Sequence, residues 1–334
     1  IFISLMNSQE FQKKLDRAWN ELLLKRKIDK KFEDEKVQVK AYDRYWFTLN
    51  KNNLPGVIID LKNINTISSI KLPKAKGWVF IKINNKILMS VNDEKYSDFF
   101  IKLINLIITK NFLENLIDKK SIICFLENLI SAKDFFEDSN APTKLTKESQ
   151  IGLYGEVYVL SKILTKKFTN KNSINFWTGP SKKHDFTTEK NLIEIKTTTT
   201  NSKKINTSSN NQIAPVHDKK LDIIFLQIKE NVKGLSLVGI IDNYLTFLKA
   251  ESEILLNDFL LKLAQCNYLD IHKDEYTQKY LIDKANYFEV REDFPYIKKV
   301  EIPAELSDLS ITYKIDLEKC EDFRISEEQL LNKI

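Results

Sequence analysis

His184-Asp185-Phe186-Thr187-Thr188-Glu189-Lys190-Asn191-Leu192-Ile193-Glu194-Ile195-Lys196 reads as a β-hairpin. His184 to Thr187 and Leu192 to Thr197 have strand-like composition, and the polar stretch Thr188 to Asn191 supplies the turn. Residues two apart on a strand share a face, so Glu194 and Lys196 project together while Ile193 and Ile195 face the other way. With Glu189-Lys190 as a two-residue loop, Thr188 pairs with Asn191 and Asp185 lies opposite Glu194. Opposed side chains share a face, with Cβ atoms about 5 Å apart. Like charges at that separation repel, so the pattern calls for a bridging cation. Two acids with a lysine beside them at a sheet edge suit Mg²⁺.

Upstream, Glu148 to Phe168 is predicted to be a helix with Leu153, Val157, Leu160 and Leu164 on its buried face. Glu156 sits at the edge of that face beside Gly152, Leu160 and Ile163. Each glycine costs roughly 1 kcal/mol relative to alanine, which makes sense where a helix backbone must approach another element closely. A half-buried Glu156 would have its desolvation offset by a nearby metal. The competing reading is an exposed Glu on an amphipathic helix; its place just before the hairpin favours the first.

These residues resemble the PD-(D/E)XK nuclease signature, Asp185 followed by Glu194-Ile195-Lys196, with His184 where that signature often has proline. The acid-X-Lys tripeptide alone is weakly specific in a lysine-rich chain; the helix and hairpin around it raise its weight. Gly152-Leu153-Tyr154-Gly155-Glu156, Trp177-Thr178-Gly179-Pro180, His184-Asp185-Phe186, Glu194 to Thr198 and Gln212 resemble one branch of that superfamily, DUF4420, whose members tend to lie near bacterial restriction-modification and defence genes. The likeness extends to Phe288-Glu289-Val290, Phe294-Pro295 and Val300 through Phe323, and is loose at the N-terminus. It implies metal-site acids Glu156, Asp185 and Glu194, a catalytic Lys196 and a supporting Gln212. It also implies a Mg²⁺-dependent DNA endonuclease of restriction or phage-defence type, with Mn²⁺ able to substitute.

Lys182 and Lys183 before the hairpin, and Lys203 and Lys204 after it, flank a run of threonine hydroxyls from Thr197 to Thr200. Groups of this kind position a duplex through its phosphates; the alternative is solvated loop ends. His184 is within reach of a metal or phosphate, His217 and His272 lie in polar contexts without ligand spacing, and none of the three receives a catalytic role. Two other functions stay open: a nucleic-acid-binding subunit of a defence complex with weak or no cleavage, and a nuclease acting on RNA or repair intermediates. Cutting both strands of double-stranded DNA with one site per chain is simplest for a homodimer; partner defence proteins are the other expected association.

The chain has 334 residues, 43% hydrophobic and 29% charged, ordinary for a globular protein, and its length suggests two structural units or one domain with a large extension. A net charge of +6 and pI near 8.8 favour an anionic partner only mildly. Cys124, Cys266 and Cys320 form no CxxC pair, so they read as thiols of a reducing compartment. No run approaches the roughly 20 apolar residues a membrane helix needs; the expected location is cytoplasmic.

The predicted fold is α/β. A restriction-endonuclease-like core with a mixed central β-sheet flanked by helices occupies residues 141–334, and an N-terminal α+β extension occupies residues 1–140. In the extension, Asn7 to Lys27 is a helix capped by Ser8, with Phe11, Leu15, Trp19, Leu22 and Leu23 inward. Strands follow at Val37–Leu49, Gly56–Leu61, Trp78–Ile83 and Ile87–Val91, then helices striped by Tyr96 to Ile108 and Ile122 to Ile130. In the core, strands are expected at Leu221–Ile228, Gly234–Ile241, Ala285–Arg291 and Leu309–Ile315, with one helix over Tyr244–Gln265.

Overall fold

A computed structural model describes residues 6–28, 38–62, 76–132, 144–179, 183–207, 213, 219–297 and 312–334. The chain divides into two compact units, Ile1–Lys144 with Glu251–Leu269, and Leu145–Ala250 with Asp270–Ile334. The polar stretch from Glu137 to Pro142, read as a junction, lies outside the described residues.

In the first unit, helix α1 (Ser8–Ile28) starts from Asn7 rather than Ser8. The Asn7 Oδ1 accepts from the Glu10 backbone N–H at 2.9 Å, and the Glu10 carboxylate accepts from the Asn7 N–H at 3.2 Å. This reciprocal pair satisfies two of the helix's first donors. Phe11, Leu15, Trp19 and Leu22 are buried, whereas Leu23 is exposed. Trp19 stacks on Phe47 at 3.9 Å and donates its indole N–H to Asn105, so it is a core residue.

The segment expected as one strand over Val37–Leu49 is a hairpin, β1 (Gln38–Tyr42) and β2 (Tyr45–Leu49), turning at Asp43 with φ 35°. With β3 (Pro55–Asp60), β4 (Trp78–Ile83) and β5 (Lys86–Val91) it forms an antiparallel sheet in the order β1-β2-β3-β5-β4. Helices α2 (Ser97–Leu113) and α3 (Asp118–Ser131) carry the two expected stripes, except that Ile130 is exposed. Arg44 donates to the carbonyls of Asp60 and Lys62 and pairs with Asp118, and Lys40 lies over the half-buried Trp46 ring. Arg44 and Trp46 are thus engaged within this unit.

The second unit opens with α4 (Lys147–Tyr158), capped by the Thr146 hydroxyl, and continues through a π turn over Val159–Ile163 and a 3₁₀ turn over Leu164–Lys166. After α5 (Asn170–Phe176) come β6 (Phe186–Thr187), β7 (Asn191–Thr198), β8 (Lys204–Asn206) and β9 (Lys220–Ser236). The expected strand Gly234–Ile241 is largely wrong: helix α6 (Leu237–Glu251) starts there, burying Leu237, Ile240, Ile241, Tyr244 and Leu248. Those spacings are helical, and a short apolar run alone does not separate the two periods. Ser252 then caps a distinct helix, α7 (Glu253–Gln265), which groups with the first unit, so Tyr244–Gln265 is two helices.

Strand β10 (Lys279–Val290) begins earlier than expected. Strand β11 (Lys314–Asp316) pairs with β8 as a separate small sheet instead of closing the main one; residues 309–311 of that expected strand lie outside the described residues. Strand β12 (Arg324–Ile325) borders the main sheet, and α8 (Glu327–Lys333) ends the unit. The main sheet runs β12-β10-β9-β7-β6, with β7 and β9 parallel and the other pairs antiparallel. It is the expected mixed sheet, with Leu192, Leu221, Ile223, Phe225, Phe288 and Val290 in one core cluster. Of the C-terminal tyrosines, Tyr276, Tyr280 and Tyr287 are buried structural residues.

Candidate active site

Strand β7 pairs with β6 through Phe186↔Ile193 and Thr187↔Leu192, and the Thr188 N–H donates to the Asn191 carbonyl at 2.8 Å. The register therefore places Asp185 across from Glu194. Asp185 lies just before β6, and its Oδ2 accepts from the Ile195 backbone N–H at 2.6 Å. Glu194 is 1% exposed, on a strand whose neighbours Leu192, Ile193 and Ile195 are also buried. The Lys196 Nζ lies 2.8 Å from the Glu194 Oε1.

Helix α4 supplies the third acid. A Cβ on Gly155 would meet the Thr197 Oγ1 at 1.9 Å, so only glycine lets α4 approach β7 this closely. A Cβ on Gly152 would meet nothing within 4 Å, so the close-approach explanation fails there. Next to Gly155, the half-buried Glu156 accepts the Trp177 indole N–H at 2.7 Å. Burial pushes the Glu156 carboxyl up to about 7; the Trp177 bond opposes the rise, the charge of Glu194 adds to it, and Lys196 opposes it. Asp185 is held well above the ordinary carboxylate range, first by burial and then by the charges of Glu156 and Glu194, against the Ile195 N–H and Lys196. The three acids thus lie within mutual electrostatic reach, with one lysine among them.

Trp177 and His184 were not assigned roles from sequence. Trp177 is fully buried, bridges to Phe186 and fixes Glu156. His184 is 5% exposed, with its Nδ1 3.7 Å from the Glu194 Oε2. An indole N–H has one bond to give and must find an acceptor when buried, the one sequence-level signal for Trp177.

Of the expected phosphate contacts, Lys183, Lys203 and Lys204 fall among the described residues. Lys183 is exposed at its backbone turn, and partial burial pulls its ammonium below the ordinary lysine range, with Glu194 opposing. Lys203 lies 3.7 Å from Glu318, and Lys204 is exposed on β8. Lys182 and Gln212 lie outside the described residues.

A hard divalent cation fits this donor set by its chemistry: carboxylate oxygens crowded until their charges oppose ionisation, beside a lysine that neutralises only part of it. Among the described residues, no three His, Cys, Asp or Glu side chains lie close enough together to hold a metal ion as they stand. Mg²⁺ is commonly bound through one or two carboxylates with its waters retained, so a closed protein cage is not required.

A mixed sheet flanked by helices, carrying Asp185, Glu194 and Lys196 in this register, defines a PD-(D/E)XK-like core. The chain belongs to the family described as "Putative PD-(D/E)XK family member, (DUF4420)", whose family model matches residues 15–318. This indicates a nuclease superfamily and a nuclease-type hydrolase. No curated protein and no solved structure matches the chain. Among the described residues, no helix is long and apolar enough to cross a membrane.

Proposed function

We propose that this protein is a Mg²⁺-dependent endonuclease that hydrolyses phosphodiester bonds in double-stranded DNA, of restriction or phage-defence type. The observation that carries the reading is the β6–β7 register, which sets Asp185 across from Glu194 with the Lys196 Nζ 2.8 Å from the Glu194 carboxylate. Asp185 and Glu194 would hold the ion, with Glu156 supporting. When bound, the ion supplies an activated water and neutralises the leaving oxyanion.

The chain's own residues do the rest. Lys196, with its side chain 20% exposed, orients the attacking water as an ammonium and offsets charge on the phosphate. The Glu194 carboxylate, 2.8 Å away, fixes the ammonium. Trp177 holds Glu156, whose carboxyl titrates near neutrality and so gains or loses a proton readily at working pH. Lys183, Lys203 and Lys204 would position the DNA backbone, and a homodimer would present two sites to the two strands. The N-terminal unit is assigned to DNA or partner contacts.

A second reading, a binding subunit without cleavage, draws support from the Lys196–Glu194 pair, which occupies the lysine within the protein. Incubation of mixed plasmid and phage DNA with Mg²⁺, Mn²⁺ or EDTA separates the two. The nuclease reading expects metal-dependent fragments that disappear in Asp185→Ala and Lys196→Ala. Intact DNA in every metal, with retained duplex binding, supports the second reading instead.

A further inference from the structure

Strand β7 last pairs with β9 at Thr198↔Gln227. Beyond that point, among the described residues, β9 pairs with β10 alone, through Ile228↔Ile282, Lys229↔Leu281 and Glu230↔Tyr280, and again at Ser236↔Lys279. Residues 231–235 have no register partner and bulge out of the ribbon between Glu230↔Tyr280 and Ser236↔Lys279, just before β9 runs into α6. The bulge is built rather than loose. A Cβ on Gly234 would meet the Tyr280 carbonyl oxygen at 2.1 Å, and the Asn231 Oδ1 accepts from the Lys233 N–H at 2.9 Å. Helix α4 props the ribbon's base, with the Tyr154 hydroxyl donating to the Tyr280 carbonyl and Lys147 pairing with Glu230.

The surface of this ribbon is basic. Lys229 is neutralised by Asp283 at 3.0 Å. Lys233, Lys279 and Lys284 are exposed and have no ion-pair partner among the described residues, and Val232 in the bulge is 86% exposed. The direction matters as much as the charge. Because β7 and β9 are parallel, the ribbon extends past the strand end that carries Lys196, which pairs in register with Phe225. Val232 lies seven residues beyond Phe225, a rise of at most ~23 Å, or about seven base pairs at ~3.4 Å each.

We propose that the β9–β10 ribbon is a contact surface for duplex DNA: Lys233, Lys279 and Lys284 engage phosphates on the flank of the segment whose scissile phosphate sits at Lys196. A two-stranded ribbon is one of the elements a major groove admits. The proposal rests on the nuclease reading of the site and names the part of the molecule that holds its substrate. A row of solvated lysines that only guards a strand edge would leave DNA affinity untouched.

The test is fluorescence anisotropy with a short DNA duplex in metal-free buffer, titrated across salt concentrations. Three proteins are compared: wild type, the triple variant Lys233→Gln/Lys279→Gln/Lys284→Gln, and a control triple variant Lys171→Gln/Lys249→Gln/Lys319→Gln. Circular dichroism and melting curves verify that all three are folded. The ribbon variant is expected to bind on the order of tenfold or more weakly, and its log–log salt slope to be shallower by about 2.7. The control variant should match wild type. Wild-type binding with an unchanged ribbon variant overturns the ribbon while leaving the nuclease reading in place. A wild type that binds no duplex DNA overturns both, and a ribbon variant weakened on duplex RNA alone overturns the DNA assignment.

Discussion

Two clusters of buried charge lie in the second unit, and they are assembled on different terms. Around Asp222, which is 1% exposed, Oδ1 accepts from the Lys333 Nζ at 2.8 Å and Oδ2 from the Asn191 amide at 2.9 Å. Glu289 takes the same ammonium at 2.8 Å. Burial raises the Asp222 carboxyl, and the next influences, Lys333 and Asn191, oppose the rise. Around Asp185, burial raises the carboxyl and the next influences, Glu156 and Glu194, raise it further. The first cluster is satisfied within the protein and ties α8 to the sheet. The second is crowded with like charge that Lys196, the Ile195 N–H and Trp177 relieve only in part. Clusters of the first kind stabilise; the second kind is arranged for something that arrives with positive charge.

Disabling each cluster should give opposite signatures. Asp185→Ala should lower DNA cleavage by roughly 10²–10³-fold or more, with melting temperature held or raised because a repelled buried charge is gone. Lys333→Ala should strand Asp222 and destabilise the fold by about 3 kcal/mol, with cleavage by the folded fraction changed little. Parallel measurements of turnover and thermal melting check both; equal losses of stability would erase the distinction.

The proton sharpens the contrast. Glu156 titrates at about 7, above its ordinary value of 4.5, so its folded form holds a proton that the unfolded chain gives up. The resulting penalty is absent below the ordinary glutamate range, grows as pH rises, and is complete once pH passes about 7. In metal-free protein, Glu156→Gln should therefore add up to about 3 kcal/mol near pH 8 and less than about 1 kcal/mol near pH 5. Urea denaturation at the two pH values reads the difference, and a gain independent of pH would contradict the assignment.

A smaller effect separates the two glycines of α4. Gly155→Ala should cost about 1–3 kcal/mol, because the new methyl group meets the Thr197 hydroxyl. Gly152→Ala, with open space around it, should stabilise by up to about 1 kcal/mol.

The legible part of the sequence was local and periodic. The hairpin register followed from alternation and a two-residue turn, and the observed pairing of Phe186 with Ile193 agrees. Gly155 was legible as a point of close approach, whereas Gly152, equally suggestive in sequence, meets nothing. The misreading at Gly234–Ile241 came from an apolar run that suits either period. There β9 stays extended to Ser236, and the chain then turns helical because Leu237, Ile240, Ile241 and Tyr244 bury one face. Trp177 and His184 were quoted without a role, since nothing local says that an indole will reach Glu156 or that an imidazole will be sealed beside Glu194. Those contacts depend on tertiary packing.

The most direct test of the account is isothermal titration calorimetry of Mg²⁺ and Mn²⁺ into metal-free protein, with thermal melting on the same samples. Wild type should bind a divalent ion with proton release near pH 7 and melt at a higher temperature, by the equivalent of about 2.7 kcal/mol at a hundred times the dissociation constant. Asp185→Ala should lose both responses and Asp222→Asn should keep both. Wild type that binds no divalent ion, or Asp185→Ala that binds as wild type does, would contradict the reading of the crowded acids as a cation site.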